Sequence, residues 1–304
     1  MHILLFGKDG QVGASLQRRL SPYVKLTALG RSDSSYCGDL SNLSGISATV
    51  GNLRPDFIIN AAAYTAVDRA ETEAAIAARI NSEAPAALAR AAKAAGAWLV
   101  HFSTDYVFDG SGDKFWNESD PPGPINVYGR TKLAGEEAIS SVHANHIILR
   151  TSWVYAPFRN NFVTSILRQA TEKPELNIVD DQIGAPTSAD LVADVTYQAI
   201  TAARRRPDSA GLYHLAAAGT VSRHGCATYI VDQAAQLGFS LQARPDTIKA
   251  TKSAEYQTAA RRPMNSRLDT GKLRETFNIA LPDWKLGITA LLKQTMSRPT
   301  AGSR

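Results

Sequence analysis

The chain has 304 residues, 44% of them apolar and 20% charged, with a net charge of +5. That length allows about two domains of roughly 150 residues, or one large α/β unit with an appended lobe, and the apolar share excludes a disordered chain. No apolar run reaches the ~18 residues of a membrane span, and the excess of Lys and Arg is too small for a nucleic-acid binder, although it suits a small anionic ligand.

The first strand is expected over residues 2–6, with no basic flank or cleavage site that would mark a signal peptide. It runs into Gly7-Lys8-Asp9-Gly10-Gln11-Val12-Gly13 and then a helix with Leu16 and Leu20 on one face. Gly7 permits the tight turn, Gly10 lets the backbone approach a phosphate, and Gly13 lets helix and strand pack closely. The N–H groups of Gln11 and Val12 then open a helix that can face a pyrophosphate. Strand before and helix after give this loop the context of a dinucleotide-binding turn. A second strand over 24–29 ends in Gly30-Arg31, where Arg31 can pair with a 2′-phosphate, so NADPH is expected and NADH stays open. Asp39 and Leu40 follow, within reach of an adenine edge.

A third strand is expected over 57–60, then an Ala-rich helix over 71–95, broken near Pro85 with Ser82 as a new cap and stopped at Gly96. Strands over 98–103 and 146–150 complete an alternation of strand and helix. Continuous apolar runs of that length read as strands of a parallel sheet buried on both faces. The expected architecture is a Rossmann-type doubly wound α/β sheet with a smaller mixed α/β C-terminal substrate-binding lobe. The division is 1–152 plus a return segment about 188–217 for the dinucleotide-binding domain, and 153–187 with 218–300 for the lobe. Helices are expected over 161–171, 188–203 and 222–237 and a strand over 212–216; the last residues, through Arg304, read as a frayed tail. The run Arg204-Arg205-Arg206 reads as positive charge at a helix end. Cys37 and Cys226 provide no disulfide framework and fit a reducing, cytoplasmic setting. The six histidines show no ligand spacing, so no metal is expected, and His143 and His146 read as surface residues.

Tyr128-Gly129-Arg130-Thr131-Lys132 opens another helical pattern, which places Tyr128 and Lys132 on one face. A cation ~4 Å from a phenol contributes about 4 kcal/mol at an effective dielectric of about 20, so Lys132 is expected to lower the Tyr128 pKa toward neutrality. Such a phenol can pass a proton to a carbonyl oxygen.

With the glycine loop, this pair resembles the extended short-chain dehydrogenase/reductases and, more closely, the dTDP-4-dehydrorhamnose reductases. The further motifs are Asn60-Ala61-Ala62-Ala63-Tyr64-Thr65-Ala66-Val67-Asp68, Ser103-Thr104-Asp105-Tyr106-Val107-Phe108, Arg150-Thr151-Ser152-Trp153-Val154-Tyr155, Asp180-Asp181-Gln182-x-Gly184-Ala185-Pro186-Thr187 and Arg262-Pro263-x-Asn265-Ser266-Arg267-Leu268. They stand in family order across about residues 1–270. The resemblance implies Tyr128 as proton donor, Lys132 on the nicotinamide ribose and Thr104 orienting the substrate. It implies Ala62, Ala63 and Tyr64 along the cofactor, Thr104, Asp105 and Trp153 at the sugar, and Arg262 near the nucleotide diphosphate. The implied reaction is NAD(P)H-dependent reduction of the 4-ketone of a dTDP-deoxysugar, in rhamnose supply for glycans such as O-antigen. Dehydratases of the superfamily place a Glu after Thr-Asp; here Tyr106 stands there, which argues against elimination. An epimerase and a non-catalytic dinucleotide-binding regulatory subunit are the other readings, and a monomer or homodimer is expected. Some members use Mg2+ at a dimer contact through acids; Ser15 and Leu292 stand where such acids are sought.

Overall fold

The short apolar runs of the N-terminal half pair side by side in the computed structural model, which describes residues 1–256 and 258–297. The strands are β1 (His2–Phe6), β2 (Lys25–Leu29), β3 (Phe57–Asn60), β4 (Trp98–Thr104), β5 (His146–Thr151) and β6 (Gly211–Leu215). They form one sheet in the order β6-β5-β4-β3-β1-β2, parallel throughout. The anticipated return segment is β6, on the β5 edge. The order reverses between β1 and β3, so the chain leaves these neighbours toward opposite sides and a crevice opens beyond their carboxyl ends.

Successive strand residues point to opposite faces. Ile3, Leu5, Phe57, Ile59, Val100 and Leu149 enter one core, and Leu4, Phe6, Ile58, Leu99 and Ile148 the other. Both faces are covered, which is why the strands read as unbroken apolar runs. The helices are α1 (Gln11–Leu20), α2 (Leu43–Leu53), α3 (Ala84–Ala95), α4 (Val127–Val142), α5 (Phe162–Glu172) and α6 (Ala189–Ala203). Leu16 and Leu20 of α1 meet Val192 and Ile200 of α6 in the first core; Ile46, Val50, Leu88 and Ile139 bring α2, α3 and α4 to the second.

The stretch read as one helix broken at Pro85 is built differently. Val67–Ala70 and Ala74–Ala78 are short helices, Arg79–Glu83 is a π-helical turn, and α3 follows with Pro85 in its first turn. Proline lacks the N–H that a continuing α-helix needs, and the wider turn accommodates its absence without ending the helix. No side chain caps α3, so Ser82 is not the cap; Gly96 does end the helix, at φ +67°.

Helices α7 (Arg223–Gln236), α8 (Gly271–Phe277) and α9 (Trp284–Met296) complete the described chain. The side chains of Asn161, Ser188 and Ser222 cap α5, α6 and α7 by accepting the N–H of Thr164, Leu191 and Gly225. Val163, Ile166, Ile230, Trp284 and Ile288 form the core of a second lobe. Three two-stranded pairs brace it, including Leu176–Val179 beside Ile248–Thr251. Helix α8 departs from the expected division: Leu273, Phe277 and Ile279 pack into the core of the main sheet. The expected tail lies outside the described residues. His143 is buried rather than exposed; its Nε2 meets the Ala97 carbonyl at 2.8 Å and secures the end of α4.

Gly7 adopts φ +87°, and a Cβ there would fall 2.6 Å from the Ala62 nitrogen. A Cβ at Gly13 would overlap the Gly7 carbonyl, while one at Gly51 in α2 meets nothing. Gly13→Ala should therefore lower stability by ~2 kcal/mol or more, from backbone overlap that cannot relax. Gly51→Ala should raise it by about 0.5–1 kcal/mol through helix propensity. Urea denaturation reads both, and a shared sign would refute the close-approach argument.

Candidate active site

Beyond the carboxyl ends of β1, β3 and β4 lies a groove of about 700 Å³. It is lined by Gly7, Gly10, Gln11 and Val12, by Gly30, Arg31, Asp39 and Leu40, by Ala62 and Ala63, and by Tyr128 and Lys132. Gly10 precedes α1 in an extended conformation with no side-chain cap, so the helix offers its first N–H groups to a ligand. That cradle fits a pyrophosphate. Gly13 stands behind the loop against Gly7. Tyr64 is not brought to the groove: its hydroxyl donates to Glu73 at 2.5 Å and its N–H to the buried Asn81 side chain at 2.8 Å. Arg159, which carried no local sequence signal, joins the lining and donates to the Asp9 carbonyl at 2.8 Å.

At the end of β2, Asp33 is bound by Lys8 at 2.6 Å and by the Gly30 N–H at 2.5 Å. Arg31 is exposed and stands 3.6 Å from the Asp39 carboxylate. With Asp33 engaged, the groove presents Arg31 at the point where a 2′-phosphate would lie, which fits NADPH.

The reacting end is built by helix packing. Asn126 caps α4 by accepting the Gly129 N–H at 2.7 Å. A Cβ at Gly129 would overlap the Tyr106 carbonyl, so only glycine lets α4 approach the turn Asp105–Val107 this closely. Tyr128 is thereby set beside Thr104, and the Tyr106 ring meets it edge-on at 5.6 Å. Thr104 Oγ1 donates to Asp105 Oδ1 at 3.0 Å and accepts the Tyr106 N–H at 3.2 Å.

Lys132 is 1% exposed. Its Nζ donates to the Phe102 carbonyl at 2.6 Å and lies 3.1 Å from His101 Nε2. Behind His101, Asn60 Nδ2 lies 3.1 Å from Nδ1, while Asn60 Oδ1 accepts the Ala62 N–H at 3.2 Å. Burial pulls the Lys132 pKa down to about 8, against the charge of Glu136. The expectation for Tyr128 is reversed. Burial pushes its pKa up, the Asp105 charge adds to that, and hydrogen bonding with Thr104 offsets only part. Lys132 faces Phe102 and His101 and is itself desolvated, so its charge does not offset the burial of the phenol.

Asp105 is 2% exposed, and burial raises its pKa to about 6 despite hydrogen bonds from Ser266 and Thr104. Its Oδ2 and the Ser103 hydroxyl have no hydrogen-bond partner among the described residues. Tyr106, in the position where a dehydratase would carry Glu, is pushed up to about 12 by burial and cannot serve as a neutral-pH base.

A second cleft, of about 990 Å³, is lined by Gln182, Arg223, Arg261, Arg262 and Met264 among others. Arg262 reaches it with its guanidinium already bound to Asp68, at 2.6 and 3.2 Å. Trp153 is half-buried, not core filling, and adopts φ +50°, a strained conformation for an aromatic residue. Its ring carries the Arg223 guanidinium 3.6 Å from its centroid. Ser15 is buried and accepts from Arg18, and Leu292 is buried in the lobe core, so neither position offers a surface contact. Among the described residues no three His, Cys, Asp or Glu side chains cluster as metal ligands, and no helix is long and apolar enough to cross a membrane.

The RmlD substrate binding domain model matches residues 1–297. A dTDP-4-dehydrorhamnose reductase of Escherichia coli K12 is 49% identical over 294 residues, 97% of this chain and 98% of that protein. One from Salmonella typhimurium is 48% identical over 300 residues, 99% and 100% of the two chains. Among solved structures, the dTDP-4-dehydrorhamnose reductase of Bacillus anthracis in complex with NADP superposes with a TM-score of 0.87 at 32% identity, over 97% of this chain and 99% of that one.

The buried Asp105 carboxylate makes a pH prediction. Its folded pKa lies above the unfolded value near 3.9, so above pH 6 the native state carries a charge it holds poorly. As pH falls from about 6 toward 4, the native state takes up a proton that the unfolded chain does not, and this contribution to stability rises. Asp105→Asn should be more stable than the parent at pH 7.5 by about 1–3 kcal/mol, with the difference closing by pH 4. Denaturant titrations at several pH values read this; a constant difference would refute it.

Proposed function

The chain belongs to the RmlD substrate binding domain family, as do its dTDP-4-dehydrorhamnose reductase relatives, and from that premise we propose how its residues divide the work. The reaction is reduction of the C4 ketone of dTDP-6-deoxy-L-lyxo-4-hexulose to dTDP-L-rhamnose. NADPH, when bound, supplies the hydride that enters the carbonyl carbon. Gly7, Gly10, Gln11 and Val12 hold its pyrophosphate, Arg31 its 2′-phosphate, and Gly30, Asp39, Leu40, Ala62 and Ala63 line its path. Tyr128 gives a proton to the ketone oxygen as negative charge develops there, and the Thr104 hydroxyl holds the same oxygen.

A raised pKa keeps the Tyr128 phenol protonated at neutral pH, the form a donor needs. Lys132, with its pKa near 8 and its amine beside the Phe102 carbonyl, holds the nicotinamide ribose. Asp105 and Trp153 bear on the sugar, and Arg262 shapes the cleft wall beside it. Residues 1–152 and 188–217 form the dinucleotide-binding domain, joined by α8; the remaining described residues from 153 to 297 form the substrate lobe. A cytoplasmic setting accords with the free thiols of Cys37 and Cys226.

What carries this reading is that Tyr128 and Lys132, on one face of α4, line the same groove as the glycine turn, with Tyr128 beside Thr104. Tyr106 in place of a catalytic Glu favours simple reduction over elimination. Offered the 4-keto-deoxysugar nucleotide, the protein should consume one NADPH for each dTDP-L-rhamnose formed. Tyr128→Phe should lower kcat by ~10²–10⁴-fold while NADPH affinity stays nearly unchanged. Turnover at the parental rate would remove Tyr128 from the mechanism.

A further inference from the structure

Arg223 opens α7 from the wall of the substrate cleft. Its guanidinium lies 3.6 Å from the ring centroid of Trp153 and 4.8 Å from that of Phe162. Among the described residues its side chain makes no hydrogen bond and no ion pair, whereas Arg262 in the same cleft is held by Asp68 at 2.6 Å.

Three effects oppose a cation at this place. Burial disfavours the charge, and the nearby Arg262 repels it. The positive end of the dipole of α7, a 14-residue helix, adds to that repulsion. Asp105 and Tyr106 act in its favour without bonding to it, and Asp105 is itself pushed toward its neutral form. Aromatic stacking is what holds the guanidinium. Stacking uses the face of the group and leaves its N–H edge for a ligand.

We infer that Arg223 is the residue that binds the diphosphate of the nucleotide sugar, while Arg262, its N–H groups engaged by Asp68, supports the wall. This rests on the nucleotide-sugar reading above. A dianion at Arg223 would relieve all three opposing effects at once, and paired N–H···O bonds suit phosphate oxygens. The position also suits the reaction. The charge of Arg223 is felt at Asp105 and Tyr106, which flank Tyr128. A sugar attached to a phosphate held there lies between Arg223 and the proton donor.

The test uses the full chain saturated with NADP+ and measures dTDP and thymidine binding by calorimetry for the parent, Arg223→Gln and Arg223→Lys. The parent should prefer dTDP. Arg223→Gln should lose about 10–100-fold in dTDP affinity, the range for a lost charge-assisted hydrogen bond. Thymidine and NADPH affinities should not move, and Arg223→Lys should recover part of the loss. In steady state the KM for the keto-sugar should rise in Arg223→Gln far more than kcat falls. Unchanged dTDP affinity in Arg223→Gln, with the parent active, overturns the assignment alone. An equal loss for thymidine and dTDP also overturns it, because packing and not charge is then at stake. A parent that turns over no keto-sugar and does not favour dTDP overturns the nucleotide-sugar reading together with the assignment.

Discussion

The site depends on one close approach of backbone to backbone. At the end of β1 the chain turns through Gly7 at φ +87°, with Ala62 at the end of β3 on one side and Gly13 in the first turn of α1 on the other. No side chain fits in either gap. The contact fixes the start of α1 directly over the reversal between β1 and β3, so the uncapped N–H groups of the helix face the crevice. Most of what else lines the groove is hung from the carboxyl ends of β1 to β5. A second close approach, Gly129 on the Tyr106 carbonyl, brings α4 to the same place from the opposite side. The distance between a phosphate cradle and a proton donor is thus set by two glycine contacts and the sheet between them.

Around the donor, the fold holds charges where it disfavours them. Lys132 and Asp105 are both buried, and burial moves both toward their neutral forms. Among the described residues neither is compensated by a close ion pair. Arg150 and Glu136, equally buried nearby, show the alternative, with the carboxylate held at 2.6 and 2.9 Å. A structural pair neutralises itself. Lys132 leans instead on the Phe102 carbonyl and His101, and Asp105 Oδ2 has no hydrogen-bond partner among the described residues. Groups left in that condition cost stability and keep their capacity for a ligand or a proton, which is the pattern expected of a site rather than a core.

The parts of the fold that were legible in the sequence are those that local chemistry dictates. Strand ends, the glycine spacing and the helix starts at Asn161, Ser188 and Ser222 depend on residues a few positions apart. The four-residue step from Tyr128 to Lys132 does too, but it tells only that the two share a helix face. Where Lys132 points depends on Phe102 and His101, about thirty residues earlier. That is why the direction of the Tyr128 pKa could not be had from spacing: burial decides it, and burial is a tertiary property. The π turn at Arg79–Glu83, the turning away of Tyr64 and the docking of α8 on the main sheet share this origin. The partnership of Arg262 with Asp68 spans 194 residues, and no periodicity announces it.

The same long-range pairings explain how so few groups suffice for the chemistry. Both ligands of such a reaction carry a diphosphate, and the structure offers an anion-receiving feature at either end: the start of α1 for the cofactor and Arg223 for the sugar nucleotide. Tyr128 and Thr104 stand between them. Binding energy from two distant diphosphates can then be spent on holding the nicotinamide and the ketone in register, and orientation of this kind is among the largest contributions open to an enzyme. The reacting end needs only a protonated phenol, a hydroxyl and a nearby amine. Its buried, poorly compensated charges are tolerable because the two ends, and not the centre, carry the affinity.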